Sequence, residues 1–400
     1  MTTPLPILII GAGPVGLSLA LALARQRLSV ELFEAMPDLS PEIRASTFHP
    51  PTLEMFAEWG VVDKVLAQGH KVDRLLYWER QSRELIAEFC YRHIAADTPF
   101  PFRLQCPQSV LTRTLKPLVE ALPNARVHMN HRLVGFQDCG DHVTAELETP
   151  NGRIIIQGAY LCGADGASST VRKGLDLGFE GMTYEDRFLL IGTDLDLRPH
   201  FPAIGPVNYM YDPDEWVIIL YLADVVRVVF RLRPEEIEEE ALAETAVRQR
   251  LHNFIGRPVN FNIKSRSVYR VHQRVADTFR QGRVLLLGDA AHINNPAGGM
   301  GMNSGIHDAY HLARALNQDL TGFQNLSGLN QTDSLDHYSQ TRRQTALEAI
   351  RAYSDKNYAD LSARDEAYRR RRNADLRATA ADPAQARAYL LRASMMADRI

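Results

Sequence analysis

The chain has 400 residues, of which 45% are hydrophobic and 23% are charged, and its formal net charge is −3. This composition is typical of a globular protein with a large core, here two interleaved domains and a tail, and the charge gives no reason to expect a nucleic-acid partner. The four cysteines show no Cys-x-x-Cys and no close spacing. We therefore expect no disulfide framework, no cysteine zinc site and a cytoplasmic protein. Apart from the apolar N-terminal stretch, no run of about 18 apolar residues occurs, so no membrane span is predicted.

The N-terminal region is predicted to form a strand, a glycine turn, a helix and a second strand. The apolar first strand runs into Gly11-Ala12-Gly13-Pro14-Val15-Gly16. Gly11 permits a tight turn, Gly13 lets the backbone approach a pyrophosphate, and Gly16 allows close packing of helix and strand. The helix N-terminus attracts phosphates, and Glu34, at the end of the second strand, can accept hydrogen bonds from a ribose. These features predict a dinucleotide-binding βαβ unit.

Two later segments carry shorter glycine motifs at the ends of predicted strands. A strand at 159–162 runs into Gly163-Ala164-Asp165-Gly166, and a helix follows at 169–175. A strand at 284–287 runs into Gly288-Asp289-Ala290-Ala291-His292. The chain then continues through Pro296, Gly298, Gly299, Gly301, Met302 and Asn303 into another helix. A glycine run of this kind suits a flat ring that passes close to the main chain, with the positive end of the helix directed at that ring.

The remaining elements follow from hydrophobic periodicity. Residues 44–69 and 108–122 are predicted to be helical. Alternation predicts strands at 188–194, 207–211, 216–222, 225–232 and 263–271, and an acidic helix at 234–254 interrupts them. After residue 334 the chain is predicted to be helical and charged. The pattern indicates an α/β fold in which an antiparallel sheet is inserted into the dinucleotide-binding domain.

The order and separation of the three glycine motifs resemble those of the group A flavin-dependent aromatic hydroxylases, single-component monooxygenases with the p-hydroxybenzoate hydroxylase fold. The resemblance extends to about residue 345 and implies a Rossmann-type FAD-binding domain, an inserted substrate domain and C-terminal helices. The corresponding ranges are 1–73, 98–178 and 270–345 for FAD, 74–97 and 179–269 for substrate, and 346–400 for the helical tail. The tail either caps the molecule or supports a dimer, so both a monomer and a homodimer stay open.

The resemblance also implies roles for single residues. Arg44 matches an arginine that reaches the FAD diphosphate, Gln108 begins a flavin-contacting helix, and Asp289 binds the ribityl chain. Asp165 matches an aspartate that serves FAD and nicotinamide binding, although its position also fits a helix cap. The full set of expected cofactor-binding residues is Gly11, Gly13, Pro14, Gly16, Glu34, Arg44, Gln108, Asp165, Asp289, Gly299, Gly301, Met302 and Asn303.

The function implied by the resemblance is hydroxylation of a phenol or a hydroxylated heteroaromatic, with FAD as cofactor, NAD(P)H as a transient co-substrate, and O₂. Family members transfer oxygen from a flavin C4a-hydroperoxide to an electron-rich ring carbon. A pocket group must then accept the phenolic proton or hydrogen-bond to the developing anion. The candidates are Tyr209, Tyr211 and Tyr221 of the inserted sheet, with Tyr209 first because it is central in its strand. Pro296 joins them because the stretches 47–50 and 296–300 are expected to close the pocket.

Several alternatives stay open at this point. The three tyrosines also fit half-buried structural positions. A flavin-dependent dehydrogenase or reductase and a non-catalytic flavin-binding module are other possible functions. Substrate-coupled oxygen uptake would distinguish a monooxygenase from a dehydrogenase or reductase. Reduction of bound FAD by NAD(P)H would distinguish it from a non-catalytic module. No metal site is expected, since His307 and His311 stand four apart without a third ligand nearby.

Overall fold

The structure is a computed structural model that describes residues 4–41, 45–294, 298–322, 333–350, 356 and 359–397. Its strands are β1 (Ile7–Ile10), β2 (Val30–Phe33), β3 (Thr47–Phe48), β4 (His70–Val72), β5 (Arg74–Glu79), β6 (Glu84–Cys90), β7 (Arg103–Gln105), β8 (Ala125–His128), β9 (Arg132–Asp138), β10 (Val143–Thr149), β11 (Gly152–Gly158), β12 (Tyr160–Gly163), β13 (Phe179–Thr193), β14 (Val207–Tyr211), β15 (Val217–Tyr221), β16 (Val226–Arg231), β17 (Ile263–Ala276), β18 (Arg280–Gln281), β19 (Val284–Leu286) and β20 (His292–Ile293). Its helices are α1 (Pro14–Arg25), α2 (Pro50–Glu58), α3 (Val62–Leu66), α4 (Gln108–Glu120), α5 (Thr170–Gly174), α6 (Glu238–Ala241), α7 (Glu244–Ile255), α8 (Gly301–Thr321), α9 (Asp333–Thr345), α10 (Glu366–Ala381) and α11 (Pro383–Ala393).

A six-stranded sheet in the order β18-β19-β12-β1-β2-β8 forms the nucleotide-binding half. All neighbouring strands are parallel except β18 and β19. The four residues of β1 are apolar and buried, as expected for a central strand covered on both faces. Helix α1 packs against α4 and α8 and is buried along most of its length. The predicted α/β fold class is confirmed.

The second large sheet has eight strands in the order β20-β17-β13-β16-β15-β14-β5-β6. Its pairs are antiparallel except that β14 runs parallel to β5, so the predicted antiparallel sheet is in fact mixed. The parallel pair arises because β5 and β6 come from residues 74–90, far upstream of the other strands. Alternation did not reveal a three-stranded sheet of β9, β10 and β11, or a small sheet of β3, β7 and β4.

The two faces of the eight-stranded sheet have different coverings. One face packs on α6, α7 and the segment 195–204. The other face, which we call the tyrosine face, is lined by Tyr77, Tyr209, Tyr211, Arg227 and Tyr269, and its aromatic residues cluster with the C-terminal helix α11. The described part of the tail thus packs on the chain's own sheet.

Two predicted helices have different boundaries in the structure. The helix predicted at 44–69 is replaced, within its described part, by β3, α2 and α3. Pro50 and Pro51 begin a new helix there, and Gly60, with a φ of +61°, follows its end. The acidic helix predicted at 234–254 is divided into α6 and α7, with Ala243 in an extended conformation between them.

No helix in the described ranges combines the length and the hydrophobicity that are needed to cross a membrane.

Candidate cofactor and substrate site

The three glycine motifs meet at one edge of the six-stranded sheet. Because β1, β2, β12 and β19 are parallel, their carboxyl ends point the same way. The backbone N–H of Ala164 donates to the carbonyl of Ile10 over 2.9 Å, and that of Leu287 donates to the carbonyl of Gly163 over 3.1 Å. The edge at which these motifs meet is where α/β sheets bind nucleotides.

The first glycine motif is shaped by two different requirements. Gly11 has a φ of +105°, which favours glycine, and a side chain at Gly16 would bring its Cβ within 2.0 Å of the Gly11 carbonyl oxygen. A Cβ at Gly13, by contrast, would meet no atom within 4 Å. Gly13 directly precedes α1, whose first amides have no partner within the helix. This open approach to a helix N-terminus fits the diphosphate of FAD.

Glu34 lies directly after β2 and braces the glycine turn. Its carboxylate accepts hydrogen bonds from the backbone N–H of Ala12 over 2.8 Å and from that of Met36 over 3.0 Å. Each carboxylate oxygen has two lone pairs. Acceptor capacity therefore remains for a ribose hydroxyl, as the sequence predicts.

Asp165 caps α5, which is the alternative that its sequence position left open. Its carboxylate accepts hydrogen bonds from the hydroxyl of Ser169 over 2.5 Å and from the backbone N–H of Thr170 over 2.7 Å. A role in cofactor binding stays a prediction for Asp165. The same holds for Gln108, the first residue of α4, whose backbone N–H donates to the carbonyl of Ala45 over 2.8 Å.

The turn that carries Asp289 rests on a buried ionic cluster. Asp308 is fully buried and accepts hydrogen bonds from His292 over 2.8 Å, from Arg342 over 2.6 Å and from the backbone N–H of Gly288 over 3.0 Å. Burial acts to raise the pKa of Asp308, but Arg342 and His292 hold it well below its usual range. Asp289 itself is exposed beside this anchored turn. The cluster explains why a histidine ends the Gly-Asp-Ala-Ala-His motif.

Asn303, in the first turn of α8, joins the loop 298–303, which we call the flavin loop, to the segment after β3. Its amide oxygen accepts hydrogen bonds from the backbone N–H of His49 over 2.9 Å and from the hydroxyl of Thr52 over 2.7 Å. Its amide nitrogen donates to the carbonyls of Thr47 and Gly299, each over 2.7 Å. A side-chain amide has two donors and two acceptor lone pairs, so Asn303 is fully used. Any contact of this residue with flavin would have to come from its backbone.

The other expected loop residues lie close to this amide. A Cβ at Gly299, whose φ is +69°, would come within 2.9 Å of Thr47. Gly301 begins α8 with open space beside it, and Met302 is half-buried. Open space at Gly301 leaves room for a ring against the main chain, which is the feature that the glycine run predicts. In the described ranges, no group of three or more His, Cys, Asp or Glu is placed to hold a metal ion.

His49 was not selected from the sequence, yet it lies between the flavin loop and the tyrosine face. Its Nε2 is 3.1 Å from the carbonyl oxygen of Gly298, which only a protonated nitrogen can contact as a donor. Its buried Nδ1 has no hydrogen-bond partner in the described part of the chain. Burial and the charge of Arg103 hold the pKa of His49 well below its usual value. The ring is therefore neutral near pH 7, with an acceptor at Nδ1.

Two buried arginines lie at the tyrosine face, and one of them, Arg103, is near enough to His49 to act on its pKa. Arg103 and Arg227 are 2% and 1% exposed. Arg103 donates to the hydroxyl of Tyr209 over 3.4 Å, and Arg227 donates to the hydroxyl of Ser46 over 3.1 Å. Burial lowers the pKa of Arg227 to about 10, so this group still carries its charge at pH 7. The site thus combines positive charge with a low-dielectric environment.

The structure separates the three tyrosines that the sequence grouped together. Tyr209 lies on the tyrosine face and stacks on Tyr77, with ring centroids 5.2 Å apart and planes 14° apart. Tyr211 lies on the same face, with the guanidinium of Arg372 3.8 Å above its ring. Tyr221 lies on the opposite face, where its hydroxyl accepts a hydrogen bond from the backbone N–H of Leu197. Tyr221 therefore lies apart from the other two candidates, and a catalytic role for each of the three stays a prediction.

Two further predicted residues, Arg44 and Pro296, lie outside the described residues. His49 lies in the stretch 47–50 that was expected to close the pocket, but nothing in the sequence singled it out. Arg103 had no sequence signal, because it is a single residue without a motif or a characteristic spacing. Arg227 was visible only as one residue of an alternating strand.

Comparison with known proteins adds one family match and three similar proteins to this geometry. Residues 4–352 match the protein family described as FAD binding domain. Para-nitrophenol 4-monooxygenase of Pseudomonas sp. strain WBC-3 is 32% identical over 394 residues, which is 96% of this chain and 94% of that protein. The 6-hydroxy-3-succinoylpyridine 3-monooxygenase HspB of Pseudomonas putida S16 is 31% identical over 372 residues, 89% of this chain and 88% of that one. The crystal structure of p-nitrophenol 4-monooxygenase PnpA from Pseudomonas putida DLL-E4 has a TM-score of 0.89 at 30% identity and covers 99% of both chains.

The two glycines of the first motif predict different defects on substitution by alanine. In Gly16→Ala the new Cβ overlaps the carbonyl of Gly11, so we expect the apoprotein to lose about 3 kcal/mol of stability. In Gly13→Ala the apoprotein should unfold at the wild-type temperature, while FAD binds more weakly because the methyl group occupies the phosphate approach. Thermal unfolding of the apoproteins and FAD titration followed by flavin fluorescence test this pair. Equal loss of stability in both variants, or wild-type FAD affinity in Gly13→Ala, would contradict the assignment.

Proposed function

This chain belongs to the FAD binding domain family and is an FAD-dependent aromatic monooxygenase, and we propose that it oxidises small phenols whose hydroxyl group ionises readily. The predicted family, cofactor and enzyme class are confirmed, and the reductase and non-catalytic alternatives have no support. The names of two relatives describe a nitrophenol and a hydroxypyridine. The nitro group of the first compound and the acyl group of the second withdraw electrons from the hydroxyl group and make it more acidic than in the unsubstituted ring.

The observation that carries the substrate class is the pair of buried cations on the tyrosine face. Arg103 and Arg227 are almost completely removed from water, where attraction between opposite charges is several-fold stronger than at an exposed site. A flat phenolate supplies both a negative oxygen and an aromatic ring. The ring would lie against Tyr77 and Tyr209, and the oxygen would face the guanidinium groups.

The cofactor site lies against this face. The residues that would hold FAD are Gly11, Gly13, Gly16, Glu34, Asp289 and the loop 298–303. When bound, FAD would supply electrons taken from NAD(P)H and the transfer of one oxygen atom of O₂ to the substrate ring, while the second oxygen atom leaves as water. His49 connects the two regions, since it contacts Gly298 of the flavin loop and lies within the electrostatic field of Arg103.

The protein's own residues prepare the phenol for this chemistry. The Nδ1 atom of His49 accepts a hydrogen bond from the phenolic hydroxyl and then takes its proton, while the charges of Arg103 and Arg227 stabilise the oxygen that becomes negative. The hydroxyl oxygen of Tyr209 accepts a hydrogen bond from Arg103. Its O–H can then donate to the substrate oxygen. A negative oxygen raises the electron density of the ring, which favours attack on an electrophilic oxygen atom. Burial excludes the water that would compete for these contacts.

We also infer that the enzyme works in the cytoplasm. All four cysteines, Cys90, Cys106, Cys139 and Cys162, are free thiols. Burial raises the pKa of Cys106 to about 12 and also raises that of Cys162. Free and partly exposed thiols are typical of a reducing compartment.

The activity is tested by oxidation of NADH and NADPH with a panel of phenols. The panel contains 4-nitrophenol, catechol, 4-hydroxybenzoate and 6-hydroxypyridine-3-carboxylate, and hydrogen peroxide is measured beside each aromatic product. We expect the fastest coupled turnover with the phenols that ionise most readily. A nicotinamide oxidation rate that no phenol raises, or one that ends entirely in peroxide, would refute the proposal.

Arg227 provides a direct test of the charge argument. Arg227→Met keeps much of the side-chain volume and removes the cation, so we expect the KM for 4-nitrophenol to rise by roughly 30- to 150-fold, the equivalent of about 2–3 kcal/mol. Arg227→Lys keeps the charge and should lose less. FAD content serves as the control and should match the wild type in both variants. An unchanged KM in Arg227→Met would exclude this arginine from substrate binding.

Tyr209 and Tyr221 form a matched pair because they lie on opposite faces of one sheet. Tyr209→Phe removes an acceptor from Arg103, so we expect slower hydroxylation and a larger share of reducing equivalents lost as peroxide, with FAD still bound. Tyr221→Phe should leave coupling unchanged, since its hydroxyl contacts only a backbone N–H among the described residues. The measurement is product formed per NAD(P)H consumed. Wild-type coupling in Tyr209→Phe would assign the role to another group.

A further inference from the structure

The C-terminal helix α11 covers part of the tyrosine face. Ala386, Leu390 and Leu391 are buried in the same cluster as Tyr77 and Tyr209. At the side of the helix, the guanidinium of Arg387 donates two hydrogen bonds to the carboxylate of Asp97, one from Nε over 2.9 Å and a shorter one from Nη2. The helix is therefore a fixed wall of the face on which the proposed substrate lies.

The carbonyl groups at the end of α11 have separate partners. The carbonyl of Leu391 accepts from the backbone N–H of Met396 over 2.8 Å, and that of Arg392 accepts from the backbone N–H of Met395 over 3.3 Å. The carbonyl of Ala393, the last residue of the helix, accepts from the Nη2 of Arg103 over 2.7 Å. The guanidinium thus caps the helix across 290 positions of sequence.

Two hydroxyl contacts connect the same helix to the tyrosines. The hydroxyl of Tyr389 donates to that of Tyr77 over 2.6 Å, and its ring stacks on Phe89 with centroids 4.1 Å apart. Just beyond the helix, the hydroxyl of Ser394 donates to that of Tyr91 over 3.2 Å. Tyr77 in turn stacks on Tyr209, and the hydroxyls of Tyr209 and Tyr91 both contact Arg103. Any displacement of the helix end would therefore move the guanidinium and the tyrosines that contact it.

We propose that the end of α11 is part of the substrate site, where Tyr389 and Ser394 act as positioning residues that aim Arg103 at the phenolate oxygen. This inference rests on the proposed function. Its physical basis is the helix dipole, which places a negative partial charge of roughly half an elementary charge at the C-terminus of a helix. A helix end can orient a guanidinium without neutralising it as a full carboxylate charge does.

The proposal is tested with the FAD-loaded enzyme and two ligands of similar size. 4-Nitrophenol can ionise, whereas nitrobenzene lacks the hydroxyl. Tyr389→Phe keeps the ring on Phe89 and removes the contact with Tyr77, and Ser394→Ala removes the contact with Tyr91. We expect each variant to raise the Kd for 4-nitrophenol by about 3- to 10-fold, the size of one hydrogen bond, while the Kd for nitrobenzene stays within 2-fold. Asp375→Ala, an exposed position on the neighbouring helix α10, is the control and should change neither Kd.

A double-mutant cycle shows whether the helix acts through Arg103. In an Arg103→Met background, Tyr389→Phe should no longer weaken 4-nitrophenol binding, because the group being aimed is absent. If the Arg103→Met variant does not fold, the same cycle is run in an Arg103→Lys background. The absorption of bound 4-nitrophenol adds a spectroscopic measure, since its phenolate is yellow. The ligand should ionise at lower pH in the wild-type site than in water, and this shift should shrink in Tyr389→Phe.

Several results would overturn the inference. Equal weakening of both ligands would show a general loss of structure, and an undiminished effect of Tyr389→Phe in the Arg103 variant would show that the helix acts elsewhere. A wild-type Kd in Tyr389→Phe and Ser394→Ala would also refute it while leaving the proposed function intact. A wild-type enzyme that neither binds nor oxidises any phenol would instead refute the proposed function, and this inference with it.

Discussion

The side-chain amide of Asn303 is the contact on which the geometry of this site depends. Its two donors and two acceptor positions are all occupied, and its four partners come from the segment 47–52 and from the flavin loop. An amide satisfied on every side permits little rotation or displacement of the elements that it joins. His49, which carries the proposed acceptor for the phenol, is thereby held at a constant position relative to the loop that the flavin ring would contact.

Two groups of buried charges have different consequences in this fold. Around Asp308, a carboxylate and the guanidinium of Arg342 contact each other directly, so their charges compensate and the group stabilises the turn before Asp289. Arg103 and Arg227 instead contact hydroxyls and a backbone carbonyl. In each of these contacts the partner of the cation is a dipole and not a full negative charge. Buried charged groups of this kind are frequent at functional sites.

The cofactor half of the site could be predicted from the sequence because its determinants are local. Each motif places a glycine or an acid directly after a buried strand, and parallel strands bring such positions to one edge. The close approach of Gly16 to the Gly11 carbonyl shows the same local logic in the structure. The substrate half has no such pattern. Arg103 meets Ala393 from 290 positions away, and neither residue belongs to a motif that would indicate the contact.

Alternation predicted which residues share a face of a strand, but the register of the hairpin decides which tyrosines share a face of the sheet. Tyr209 pairs with Ile218 across β14 and β15, so Tyr221, three positions further, points to the other side. Helices α6 and α7 cover the opposite face of the sheet. The tyrosine face is therefore the one that the proposed flavin site would meet. A motif at a strand end depends only on a few neighbouring residues. The substrate face, in contrast, is assembled from strands, a loop and the last helix. A change in any of these pieces can alter the substrate while the cofactor site is kept, which is why motifs identify the cofactor and only the assembled face indicates the substrate class.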